Sequence, residues 1–160
     1  MIEISKTITL KLIFLISIIA LASAFFIEYI LGHQPCNLCI MERIPYLLAL
    51  IIIVLNYKFI NFEKYFILSL ILIFLAAIIL SLYHLGIEQG FIEESLVCDL
   101  KNGYNLLTKE EILRQLQEKN VSCKDVTFKI FGLSLTSYNI IISILIVYFT
   151  TKAYLTYGNN

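Results

Sequence analysis

The sequence predicts an all-α membrane protein, a four-transmembrane-helix bundle with one long outer loop that carries a short amphipathic helix. Three observations predict it. The chain of 160 residues is 59% hydrophobic and 15% charged, with a mean hydropathy of +0.86. Four apolar stretches are of span length or can be extended to it. Most of the remaining charge collects in one segment, residues 87–132, with six Lys or Arg against eight Asp or Glu. An average soluble domain is roughly 45–50% apolar and about 25% charged. A small soluble fold leaves much of its surface wet, so it cannot hide this much apolar side chain. The same composition excludes a disordered chain. Twelve Lys plus Arg balance twelve Asp plus Glu, so there is no basic footprint for nucleic acid. No internal repeat or low-complexity tract is present.

A bilayer core about 30 Å thick needs roughly 20 apolar helical residues. The first span, residues 10–31, holds only Lys11 and Glu28 as charges. It competes with a signal peptide, because Lys6 and Lys11 precede Ala22-Ser23-Ala24. The apolar run continues past that site to Leu31, which favours an uncleaved helix. The second span, residues 40–58, is centred on Ile44 to Leu55 and extends back through Arg43, Glu42 and Met41. Pro45 suits the first turn of a helix, or bends the helix if it starts earlier. The third span, residues 66–86, has no Asp, Glu, Lys or Arg and carries His84 near its end. The fourth, residues 133–155, has only Lys152. Ala22, Ala24, Ala76 and Ala77 are candidate helix contacts, and equally compatible with lipid exposure. Tyr29 and Tyr46 read as aromatic-belt residues. Whether Glu28, about one turn inside the first span, is functional or simply reaches headgroup water stays open, and it is not counted as a site residue.

Basic residues set orientation. With four spans, Lys6, Lys11, Lys58, Lys64 and Lys152 fall on one side. Both termini and the 56–65 loop are therefore expected in the cytoplasm, with loops 32–39 and 87–132 outside. In the long loop, Thr108 followed by Glu111 is a capping-box pattern. Ile112, Leu113 and Leu116 then share a face, either against the loop itself or on the membrane surface.

All four cysteines lie at or beyond the outer face. Cys36 and Cys39 form a C-x-x-C where the first outer connection meets the second span. Cys98 and Cys123 lie in the long loop, with 24 residues between them. Three readings remain open. Two disulfides can staple the loops. Four thiolates can hold zinc, although the usual partner of a C-x-x-C is another close pair. Or two redox pairs form a relay, which needs only a thiolate that can reach a disulfide. A C-x-x-C bridge closes almost no chain and such pairs are more often redox-active. Arg43, four residues after Cys39, shares its face on a continuous helix about 6 Å along the axis. Its guanidinium then favours a thiolate and a polar oxygen. Otherwise it is an interface anchor, paired with Glu42. His84 alone reads as an interfacial polar residue, with Glu88 on the same face if the helix continues. His33 has no clear role.

Pro35-Cys36-Asn37-Leu38-Cys39-Ile40-Met41-Glu42-Arg43 resembles the P-C-x-L-C-x-x-x-R signature of the bacterial disulfide bond formation protein B (DsbB) family. Tyr83-His84-Leu85-Gly86-Ile87-Glu88 is similar to that family's Y-H-x-G-x-E segment. Gly132-Leu133-Ser134 is similar to the stretch opening its fourth span, and Cys98 and Cys123 match its loop pair. The resemblance covers about residues 10–155. It implies a protein-dithiol:quinone oxidoreductase in the bacterial inner membrane, with both cysteine pairs periplasmic. A DsbA-like periplasmic oxidase of thioredoxin fold would attack the Cys98–Cys123 disulfide, with Cys98 taking the mixed disulfide. Cys123 would then attack Cys36, and Cys39 would pass electrons to ubiquinone or menaquinone. Arg43 and His84 would bind the quinone. No metal is implied. The chain has no Trp, where family members commonly carry Trp near the fourth span; Phe128 and Tyr138 are candidates for those places. Two rivals stand beside this reading. One is a non-enzymatic four-span scaffold with a stapled loop. The other is a vitamin K epoxide reductase type, in which the active C-x-x-C comes late in the bundle rather than at the second span.

Overall fold

The computed structural model describes residues 2–93, 122–124, 129–130 and 132–158. The sequence-expected helix over 108–120 and Cys98 lie outside the described residues. Helix α1 spans Ile2–Tyr29, α2 Asn37–Met41, α3 Ile44–Lys58 and α4 Glu63–Glu88, with a 3-10 turn at Ile60–Phe62. Strands β1 (Lys129–Ile130) and β2 (Leu133–Ser134) precede the last helix, α5 (Leu135–Gly158). Among the described residues, four segments are long and apolar enough to cross a membrane: Thr7–Tyr29, Asn37–Lys58, Glu63–Glu88 and Leu135–Leu155. The protein is an all-α four-span membrane protein.

The second span starts as α2 and restarts as α3, so both expectations for Pro45 hold at once. Proline has no N–H to give the Met41 carbonyl, and its ring crowds that carbonyl. The ladder tightens there: Arg43 N–H donates to the Ile40 carbonyl at 3.1 Å. Pro45 then sits in the first turn of α3, where the missing donor costs nothing. Helix α4 continues past residue 86 to Glu88. It ends in a Schellman motif, with Gly90 N–H on the Ile87 carbonyl at 3.0 Å and Phe91 N–H on the Gly86 carbonyl at 2.9 Å. That closure needs a left-handed residue, and Gly90 supplies it at φ +76.

The strands form one antiparallel ladder, Lys129 opposite Ser134 and Ile130 opposite Leu133. Two residues per strand are too few for alternation to show in a sequence. Gly132 turns the chain between them at φ +82. Ser134 caps α5, its Oγ accepting from the Ser137 N–H at 3.3 Å.

The helices are apolar on nearly all sides, so apolar periodicity does not choose their inward faces. Small and polar residues do. Ser17, Ala49, Ala77, Ser81, Ser143 and Thr150 are buried, whereas Ile8, Leu72, Ile79 and Tyr148 are exposed along the outer surface. In lipid, apolar side chains gain nothing by turning inward, while close backbone approach and interhelical hydrogen bonds do bind helices. Of the four candidate alanines, only Ala77 is buried; Ala24 is half-buried, and Ala22 and Ala76 are exposed. Helix α4 packs most extensively on α5, and α1 and α4 both pack on α3. One core cluster joins Leu10, Ile13, Tyr46, Ala49, Phe74 and Ile146 among others. A second joins Cys36, Leu38, Ile87 and Cys123.

Tyr46 corrects the sequence reading. It is no belt residue: it is buried, packs edge-on against Phe74 at 5.6 Å, and donates its hydroxyl proton to Asn139 Oδ1. An aromatic residue one turn into a span looks interfacial in sequence, but Asn139 lies 93 residues away and gives its hydroxyl a partner. Tyr29 is exposed and stacks with Phe25.

Candidate functional site

The C-x-x-C sits at the N-terminus of α2. Cys36 is the N-cap, with extended backbone at φ −70 and ψ 168. Its Sγ accepts the Cys39 N–H at 3.3 Å, which places the two sulfurs on one turn, 2.8 Å apart. A disulfide needs about 2.05 Å and a suitable dihedral, so little movement separates thiols from bridge. Cys36 is 5% exposed, and Cys39 is more open. The hydrogen bond with Cys39 and burial push the Cys36 thiol above its ordinary range, while His84 pulls it down. Cys123 is buried in the same cluster as Cys36.

His84 enters from α4, one turn above Ser81. Its Nε2 stands 3.5 Å from Cys36 Sγ. Its Nδ1 stands 2.9 Å from Glu42 Oε1 and 3.2 Å from Thr136 Oγ1. Glu88, one turn further on, has Oε1 at 3.7 Å from Nε2; that oxygen accepts from the Thr136 hydroxyl at 2.6 Å. Glu42 lies in the break between α2 and α3, where its side chain turns inward. Asn139 Nδ2 donates to Glu42 Oε2 at 3.1 Å and to Ser81 Oγ at 2.8 Å. Three spans are thus joined by one buried polar network, as buried polar groups require.

Arg43 points the other way around the break. Its Nη1 donates to Glu28 Oε2 of α1 at 2.5 Å, and its guanidinium lies over the Phe25 ring at 5.2 Å. The sequence alternative of a Glu42 partner is therefore corrected: Glu42 is committed to His84 and Asn139. Glu28, left out of the candidate site on sequence, is the residue that holds Arg43.

One cavity of about 500 Å³ connects these groups. At its polar end it is lined by Cys36, Cys39, Glu42, Arg43, His84 and Cys123. Its apolar end runs between α1 and α5 along Ile16, Ile19, Ala20, Ile142 and Leu145. From Ile27 to Ile16 the α1 wall is about 16 Å long at 1.5 Å per residue. The size is that of a small-molecule site, mostly apolar with a few placed polar groups. Tyr138 also lines it. Five of the six sequence-derived site residues therefore meet at one cavity, and the sixth, Cys98, lies outside the described residues.

Sequence reasoning missed Glu28, Glu42, Thr136 and Asn139 as parts of this site. Intramembrane acids are functional suspects, so Glu28 and Glu42 carried a signal. Thr136 and Asn139 carried none without the packing of α4 on α5.

Residues 6–153 match the family model described as "Disulfide bond formation protein DsbB". A protein of Rickettsia prowazekii (strain Madrid E), named Uncharacterized protein RP370, is 32% identical over 138 residues, which cover 84% of this chain and 79% of that protein. No solved structure matches.

Proposed function

This chain belongs to the disulfide bond formation protein DsbB family, and from that premise we propose that it is a protein-dithiol:quinone oxidoreductase of the bacterial inner membrane. It oxidises the dithiol of a DsbA-like periplasmic oxidase. The electrons pass through Cys98 and Cys123, then Cys36 and Cys39, to ubiquinone or menaquinone. Both termini lie in the cytoplasm and both cysteine pairs in the periplasm.

The observation that carries the reading is that one cavity is lined both by Cys39, Arg43 and His84 and by a long apolar slot between α1 and α5. A quinone has the same two-part character, a polar ring on an apolar tail. When bound, it supplies an acceptor for two electrons and two protons. The chain's own residues do the rest. The partner dithiol exchanges with the Cys98–Cys123 disulfide, leaving the partner oxidised and these two cysteines as thiols. Cys123, buried beside Cys36, attacks Cys36 and releases Cys39 as a thiolate. Arg43, held by Glu28, lines the same cavity, and its remaining guanidinium N–H groups can donate to a polar oxygen there. His84 holds or moves a proton at its ring nitrogens. Across the cycle one dithiol becomes one disulfide, and two electrons and two protons leave with the quinol.

The test follows the partner. A reduced thioredoxin-fold oxidase is incubated with the purified protein and quinone, and its thiols are counted by alkylation gel shift. Reoxidation that requires quinone, and that fails in Cys98→Ser and in Cys36→Ser, is expected. Reoxidation that survives Cys36→Ser would contradict the relay and favour a loop pair acting alone.

A further inference from the structure

The buried carboxylate Glu42 has no place in the electron path just described, yet it occupies the centre of the polar network. Its Oε1 faces His84 Nδ1 at 2.9 Å, and its Oε2 accepts from Asn139 at 3.1 Å. A carboxylate accepts only, so it fixes the imidazole proton on Nδ1. The other ring nitrogen is then left for Cys36 Sγ at 3.5 Å. His84 is 1% exposed and Glu42 9%, so water does not compete for either contact.

We propose that Cys36, His84 and Glu42 form a thiol–imidazole–carboxylate triad in which Glu42 is a positioning residue. This inference rests on the reading of Cys36 and Cys39 as a redox pair. The step is one proton transfer: the Cys36 S–H bond breaks, the proton goes to His84 Nε2, and the electron pair stays on sulfur. The thiolate is the form that attacks a disulfide or closes the bridge to Cys39. Transfer in reverse protonates Cys36 when it leaves a mixed disulfide. The nucleophile–base–orienter logic is that of catalytic triads on unrelated folds, here placed at a membrane boundary.

Other groups face the same centre. Cys39 lies 2.8 Å from Cys36 Sγ, and Cys123 and Tyr83 pack in its cluster. Glu88 Oε1 is 3.7 Å from His84 Nε2, and Thr136 shares Nδ1. From α5, Tyr138 and Asn139 line the cavity, as does Arg43 from the break. Arg43 is paired with Glu28 of α1. Glu88 is the one other carboxylate within 4 Å of the ring among the described residues; at 3.7 Å from Nε2 it is too far for a hydrogen bond, and its Oε1 accepts from Thr136.

The test isolates Cys36. In the full-length protein carrying Cys39→Ala, Cys98→Ala and Cys123→Ala, the rate of Cys36 alkylation by iodoacetamide is measured across pH. Glu42→Gln and His84→Gln are each expected to move the inflection up by about one pH unit or more, roughly a tenfold slowing below it. Glu42→Gln should add nothing once His84 is replaced, and Glu42→Asp should restore part of the shift. An unmoved inflection in either single variant, or additive shifts, would overturn the triad. A second measurement needs no variant. In nitrogen-15 histidine spectra of the wild-type protein, His84 should keep its proton on Nδ1 while Nε2 titrates. A bare Nδ1 with a proton fixed on Nε2 would overturn the proposal. Neither readout involves quinone or partner, so failure of the electron-transfer reading would leave both results interpretable.

Discussion

Replacing Glu28 by Gln should loosen Arg43 at the cavity without touching a cysteine. The Arg43–Glu28 contact is 2.5 Å long, with side chains 18% and 23% exposed. A charged hydrogen bond of this kind contributes about 1.5–3 kcal/mol net, and a neutral one about 0.5–1.5 kcal/mol. A glutamine oxygen still accepts from the guanidinium, and that bond stays charged on the donor side, so the loss is at most the difference, about 1–2 kcal/mol. Breaking a fully buried pair would cost about 3–5 kcal/mol; the partial exposure here keeps the effect below that. The Phe25 face at 5.2 Å remains and holds the cation in place by about 0.5–1 kcal/mol. A loss of about 1–2 kcal/mol is a factor of about 5–30 in an equilibrium. Initial rates over a quinone series, with saturating reduced partner, should show KM for quinone raised by up to that factor, with kcat nearly unchanged. Glu28→Asp should lie between. A Glu28→Gln protein with wild-type KM but a lowered thermal midpoint would show that the pair serves stability alone and does not position Arg43 for quinone.

Other substitutions probe the cavity and its frame. Ala20→Phe, in the apolar slot, should raise quinone KM about tenfold or more by occupying the tail path, whereas Ile79→Phe, 70% exposed on the outer surface, should leave kinetics within error. Asn139→Leu removes the partner of Tyr46, Glu42 and Ser81; buried groups left unpaired should lower stability by about 2–4 kcal/mol, read by thermal unfolding in detergent. Gly90→Ala forces a Cβ into φ +76 and should cost about 1–2 kcal/mol in the same assay, with turnover per folded molecule retained.

Much of the fold was legible because the bilayer makes a strict demand on length and polarity. The charge-poor runs around Ile19, Phe74 and Ile146 announce spans without any alignment. The cysteine pairs and Arg43 were legible because their spacing is local. What was not legible depends on which way helices turn. Helices α1, α3, α4 and α5 are apolar all round, so nothing in sequence orients Tyr46 inward or Tyr29 outward. Glu42 and Arg43 are adjacent, and a continuous helix would send them about 100° apart. Pro45 breaks that helix and sends one to His84 and the other to Glu28. The Thr136–Glu88 and Asn139–Ser81 contacts join α5 to α4 across 48 and 58 residues, a distance no local pattern spans.

The most direct measurement is quinone absorbance in detergent, with purified protein and a reduced thioredoxin-fold oxidase, run beside Cys39→Ser. Loss of the oxidised quinone band is expected with wild-type protein, and no loss with Cys39→Ser. Absorbance that stays constant for wild type with ubiquinone and with menaquinone, in protein whose disulfides are intact, would contradict the relay and point to a stapled scaffold.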